Sequence, residues 1–198
     1  MIKIICFTIA VIWAHFSVFS QQTTLDQFNV ERQKISKNGV KGLVIYSAAN
    51  IIYSSIMTSD SKGSNKYFYK MNTIWSGITL GLVGIGIATA KKEGSISYAE
   101  SLKKQNSIEK IFLFNAGLDF AYIAGGAYLK ERSRSSSGTS SDRRKGYGES
   151  IMLQGGALLI FDGVMYFLHN RHGKKLNKMA EKIKFSTFEN GVGLVWKL

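Results

Sequence analysis

The chain has no proline, so no apolar stretch is cut or kinked by a residue that lacks a backbone N–H. Cysteine is almost absent too. The single thiol, Cys6, falls inside the first twenty residues, so the remainder can hold no disulfide, thiolate metal site or catalytic thiol. Motif chemistry is equally sparse. The sequence has no HExxH, P-loop or GxSxG, and GIGIATA fails the dinucleotide fingerprint and follows no strand. No catalytic residue, cofactor site or metal site is therefore assigned. His15 goes with the leader, while His169 and His172 have no carboxylate near them in sequence and are expected to anchor a helix end.

Four long stretches carry at most one charge each. Gly42 to Ser59 and Met71 to Ala90 carry none, and Ile111 to Leu129 and Ile151 to Leu168 carry one aspartate each. A helix needs roughly 20 residues to cross about 30 Å of hydrocarbon. LGLVGIGIATA shows no polar stripe of the kind a soluble amphipathic helix carries. The expected fold is an all-α membrane protein, a bundle of four transmembrane helices over 42–59, 71–90, 111–129 and 151–168.

The flanking segments follow from composition. Residues 1–20 combine Lys3, an apolar stretch and small residues near Ser20, which is the form of an export signal. Residues 21–41 are mixed-charge and are expected to lie on the surface, with Leu25, Phe28 and Ile35 on a thin apolar edge interrupted by Arg32. KYFYK places Tyr67, Phe68 and Tyr69 where an interfacial aromatic belt would sit. Residues 130–150, rich in Ser and Arg, read as a disordered basic loop. In the basic tail, 171–198, Asn190 and Gly191 form a two-residue turn signal between alternating segments, which predicts a β-hairpin pairing Phe185 with Trp196.

The formal net charge of +13 suits anionic lipid headgroups, because the cations cluster beside apolar ends. No recognition helix or aromatic-interleaved basic surface points to nucleic acid. The signal predicts a bacterial inner membrane, with residues 60–70 and 130–150 on the cytoplasmic side. The positive-inside rule supports the second of these loops, while the basic tail votes the other way.

Polar groups inside the apolar runs are the candidate site. Asn115, Asp119, Tyr122 and Gly126 recur at helical spacing, as do Gln154, Leu158, Asp162 and Tyr166. Measured from the ends of the runs, Asn50, Asn115, Asp119 and Asp162 share one depth, with Gln154 and Tyr122 near them. No Lys or Arg lies in the runs to pair with the aspartates, and an ionised Asp at mid-bilayer costs ~2.5 to 3.5 kcal/mol on insertion scales. Three roles remain open. The groups could be interhelical fasteners, helped by close approach at Gly77 and Gly81 and at Gly117, Ala121 and Gly125. They could form a proton or cation pathway. They could also be the acid and base of an intramembrane hydrolase, against which stands the absence of a GxGD pattern around GLD and FDG.

KYFYKMNTIW, FNAGLDFAYIAGGAYL and GYGESIMLQGGALLIFDGVMYF resemble an uncharacterised family of small multi-pass membrane proteins of Bacteroidota-type bacteria, classed as a domain of unknown function. The likeness spans roughly residues 34 to 169. It implies a four-helix membrane fold in a Gram-negative envelope and no activity. The family's asparagines after the tryptophan are absent after Trp75, which argues against a polar site on the second helix. The leading functional expectation is a structural or complex-forming envelope component with a protein partner or a second copy. The alternative is a small cation- or proton-linked transporter or channel using Asp119 and Asp162.

Overall fold

The computed structural model describes residues 23–90 and 94–179. Four helices fill them: α1, Thr23–Asp60; α2, Gly63–Thr89; α3, Tyr98–Ser133; and α4, Gly138–Met179. Among the described residues there is no strand. The signal segment and the expected hairpin lie outside the described residues. Three of the helices, α1, α2 and α4, are long and apolar enough to cross a membrane.

The apolar runs lie at the C-terminal ends of α1 and α2 and inside the longer α3 and α4. At 1.5 Å per residue, the 38 residues of α1 and the 42 of α4 span roughly 57 and 63 Å, about twice a hydrocarbon core. The segment 21–41 is therefore no separate surface piece. Its described part is the first five turns of α1, with Leu25, Phe28 and Arg32 buried against α3 and α4. The Arg32 guanidinium, expected to break the apolar edge, instead donates from Nη1 to the Ser101 carbonyl at 3.2 Å.

The basic loop expected at 130–150 is also corrected, because both helices run into it and leave only residues 134–137 between them. Serine hydroxyls supply the local partners that composition alone hides. Ser133 Oγ donates to the Lys130 carbonyl at 2.6 Å, Ser135 and Ser136 donate to the Arg132 carbonyl, and Ser141 reaches back to the Ser133 carbonyl at 2.8 Å. These bonds satisfy carbonyls that a helix end leaves orphaned. Gly138, at φ +55°, then turns the chain, and a Lys130–Glu149 ion pair at 3.1 Å ties α3 to α4. At the other end of α3, Ser97 caps the helix by accepting from the Glu100 N–H at 3.2 Å.

Helix α4 is the centre of the array, packing along α3 on one side and along α2 on another, while α1 packs mainly on α2. The expected bundle is thus open between α2 and α3. There Trp75 and Tyr122 reach across, edge to face, with centroids 4.8 Å apart. The aromatic stretch of α2 also packs on its neighbours, Tyr67 on Tyr147 and Tyr69 on Tyr53, each with centroids 5.8 Å apart.

Glycines set the closest approaches, but not the expected ones. A Cβ at Gly77, Gly81, Gly117 or Gly125 would meet nothing within 4 Å, so these stripes face outward. A Cβ on Gly126 would instead stand 2.6 Å from the Gly148 carbonyl oxygen, and one on Gly148 would stand 2.5 Å from that of Gly126. Gly146 likewise abuts the Ser64 carbonyl of α2. Sequence spacing finds small residues in rows. It does not say which row turns inward.

Candidate functional site

The interior changes character along the helices. Near the start of α1, Leu25, Phe28 and Leu176 form an apolar cluster with Tyr98, Leu102 and Met179 around it. Within the four apolar runs Met165 is the one buried large hydrophobic among the described residues, and the other buried side chains there are polar: Ser47, Ser54, Asn72, Ser76, Asp119, Gln154 and Asp162. Large apolar groups in the same stretch point out, with Ile160 71%, Phe114 67% and Leu82 66% exposed.

The polar groups form two layers. In one, the Tyr46 hydroxyl of α1 donates to Gln154 Oε1 at 3.1 Å. Gln154 Nε2 donates to Asn72 Oδ1 of α2 at 2.8 Å, and Ser150 Oγ donates to the same oxygen at 2.7 Å. Asn72 thereby joins α2 to α4, and Gln154 extends the join to α1. The sequence argued against a polar site on the second helix, for want of asparagines after Trp75, yet Asn72 lies on it. The signal that finds it is a carboxamide near the start of two helices that run in the same direction, Asn72 and Gln154.

The second layer is the pair Asp119 and Asp162, on α3 and α4. Both are at least nine-tenths buried, and the two carboxyls interact with each other. A bond between two carboxyls needs a proton on one of them. Asp119 Oδ2 is buried without a hydrogen-bond partner among the described residues. Gln154 lies eight residues from Asp162 on the same helix, so the layers are roughly 12 Å apart.

The remaining expected members fall elsewhere. Asn115 is half-buried one turn before Asp119, and Tyr122 is engaged with Trp75. Asn50 accepts a hydrogen bond from Ser54 of its own helix at 3.0 Å. Because Tyr46 is level with Gln154, Asn50 lies one turn beyond it and roughly 18 Å from the aspartate layer along the helix axes. Depth counted from the ends of apolar runs placed Asn50 with the aspartates. Cross-helix register decides otherwise, since α1 slides along α4 without regard to where its charges begin.

A third polar group lies beyond the runs. Asn29 Nδ2 donates to Ser101 Oγ at 3.0 Å, beside buried Arg32. The His172 ring stacks on Phe28, centroids 4.2 Å apart, and its Nε2 donates to the Phe28 carbonyl at 3.0 Å. Contrary to the sequence expectation, a carboxylate is near: Glu31 Oε2 lies 3.6 Å from His172 Nδ1 and takes Lys175 Nζ at 2.6 Å. Burial pushes the His172 pKa below its ordinary value, and the hydrogen bond from Lys175 lowers that of Glu31. His169, at the edge of its run, places Nε2 3.3 Å from the Ser36 hydroxyl and stacks on Phe112. Among the described residues no three His, Cys, Asp or Glu side chains gather to hold a metal ion.

A family of unknown function, DUF6992, matches over residues 42–163, which is 122 of the 198 residues. No curated protein and no solved structure matches the chain.

Proposed function

The chain belongs to this family of unknown function, and from its own geometry we propose that it is a four-span integral membrane protein, a structural or complex-forming component of a bacterial cell envelope. One observation carries the reading. Within the apolar runs the buried side chains are polar apart from Met165 and the large exposed ones are apolar, whereas the buried apolar cluster of Leu25, Phe28 and Leu176 lies past the runs, beside buried Asn29, Arg32 and His172. Hydrocarbon outside selects the pattern within the runs, because polar groups between lipid-facing helices find partners only in the protein.

Charges mark the limits of the slab. Lys41 and Asp60 bound it on α1, Lys110 and Lys130 on α3, and Glu149 and Arg171 on α4. These pairs are 19, 20 and 22 positions apart in sequence, so each interval spans roughly 30 Å. α3 crosses with the others on this reading, despite Asn115 and Asp119, since Leu113, Phe114 and Phe120 face outward. The two polar layers then serve as fasteners that fix helix register.

Reporter fusions after residues 62, 94 and 136 test the topology. Four spans put the first and third reporters on one side and the second on the other. If the second and third share a side, α3 does not cross.

A second reading, proton- or cation-linked transport, is favoured by the unpartnered buried oxygen of Asp119 beside Asp162. Flux into liposomes that the Asp119→Asn change abolishes would establish it. No flux with either protein leaves the fastening role.

A further inference from the structure

Four of the five described glutamates have a cationic partner: Glu31 with Lys175, Glu100 with Lys104, Glu131 with Arg134 and Glu149 with Lys130. Glu109 has amides instead. Gln105 Nε2 donates to its Oε1 at 2.8 Å while also donating to the His169 carbonyl at 2.6 Å, and Asn170 Nδ2 donates to its Oε2 at 3.1 Å. Glycine makes the room for this. A Cβ on Gly173 would stand 2.7 Å from Glu109 Oε1 and 3.1 Å from Gln105 Nε2.

The carboxylate so held lines a pocket of about 160 Å³ between α3 and α4, with Asn106, Asn177 and Lys174 also on its walls. Glu109 stands next to Lys110, where the apolar run of α3 begins. On the membrane-spanning reading, from which this inference proceeds, the pocket opens at headgroup depth.

We propose that this pocket binds the headgroup of an ethanolamine-type phospholipid, its ammonium on Glu109 and its phosphate on Lys174. The chemistry selects that class. A carboxylate held in place by two carboxamide N–H groups asks for a cation that donates several hydrogen bonds, which a primary ammonium does and a quaternary ammonium cannot. An anion beside that cation answers Lys174, which a simple amine would leave facing a like charge. A purely anionic headgroup would meet Glu109 unfavourably, although the rest of this end of the molecule is rich in lysine. The pocket is too small for a folded partner, and its place at the end of the run lets acyl chains lie along the exposed apolar face of α3.

The test uses the purified full chain in detergent, given an equimolar mixture of ethanolamine, choline and glycerol phospholipids, with bound lipid counted by native mass spectrometry. The ethanolamine lipid should be retained about tenfold over the choline lipid, the ratio that one charge-assisted hydrogen bond supplies. Glu109→Gln should erase that preference, and Gly173→Ala should weaken it by displacing the carboxylate. Both variants are first checked for native helicity and a single chromatographic peak. Lys174→Gln, at an exposed position, serves as the readout if neither folds, and should lower ethanolamine lipid retention. Equal retention of the ethanolamine and choline lipids overturns the proposal, as does a preference that survives Glu109→Gln and Lys174→Gln. Free phosphoethanolamine that displaces the lipid at equal concentration would make the ligand a soluble one and overturn the lipid assignment. Release of the chain from membranes by alkaline carbonate would instead overturn the membrane reading.

Discussion

Gly126 on α3 and Gly148 on α4 meet backbone to backbone, so close that a Cβ on either would stand 2.6 or 2.5 Å from the other's carbonyl oxygen. No rotamer relieves such a contact, because the obstacle is main chain. Gly126→Ala or Gly148→Ala should therefore force the helices apart and cost about 1 to 3 kcal/mol, the range for overpacking a close contact. Gly77→Ala and Gly117→Ala, which meet open space, should stay within about 0.5 kcal/mol. Unfolding in mixed micelles measures both, and equal losses at the two kinds of position would refute the assignment of faces.

Asn72 Oδ1 accepts from both Ser150 and Gln154. Asn72→Leu should remove both bonds and leave two buried donors, at a cost of about 1 to 3 kcal/mol. Gln154→Leu in the same chain should cost less than the sum of the single changes, since the partners vanish together. Strict additivity in the double-mutant cycle would show that the groups do not interact.

For Asp119 and Asp162, Asp119→Asn supplies an N–H donor to the facing carboxyl and should keep stability within about 1 kcal/mol, the value of one such bond. Asp119→Leu leaves Asp162 buried without that partner and should destabilise by several times more. Thermal unfolding in one detergent compares them. The pairing fails if the leucine variant is as stable as the asparagine one.

Acid should loosen the end of the molecule beyond the apolar runs. The folded-state pKa of His172 is depressed by burial, so the folded chain holds that proton less tightly than the unfolded chain does. The contribution is fully present above the unfolded value near 6.5 and declines as pH falls from there toward the lower folded value. Below about 4.5, protonation of Glu31 adds a second loss, since its folded pKa is also depressed. Melting temperatures at pH 7.5 and 5.5 should differ in that direction, with a smaller difference in His172→Gln. An unchanged difference would remove His172 from the account.

Much of the architecture was legible in the residues. Ile111 to Leu129 and its three counterparts announce a helix each, because about 20 residues with at most one charge suit one environment. The same pattern placed Asp119 and Asp162 on inward stripes at comparable depth. It misplaced Asn50, undervalued Asn72 and took Arg32 for a surface group. These errors share a cause: hydropathy along one helix carries no information about how far its neighbour has slid.

By itself, then, the sequence determined the number and type of the helices, the charged limits of their apolar runs and the polar stripes within two of them, since all of these depend on local composition and a fixed rise per residue. Only the tertiary structure decided which glycines carry the close contacts, that the serine-rich stretch caps helices rather than unravelling, and that the polar groups divide into separate layers. Each of those depends on register between helices. That register is set by contacts such as Gly126 on Gly148 and Gln154 on Asn72, between residues far apart in the chain.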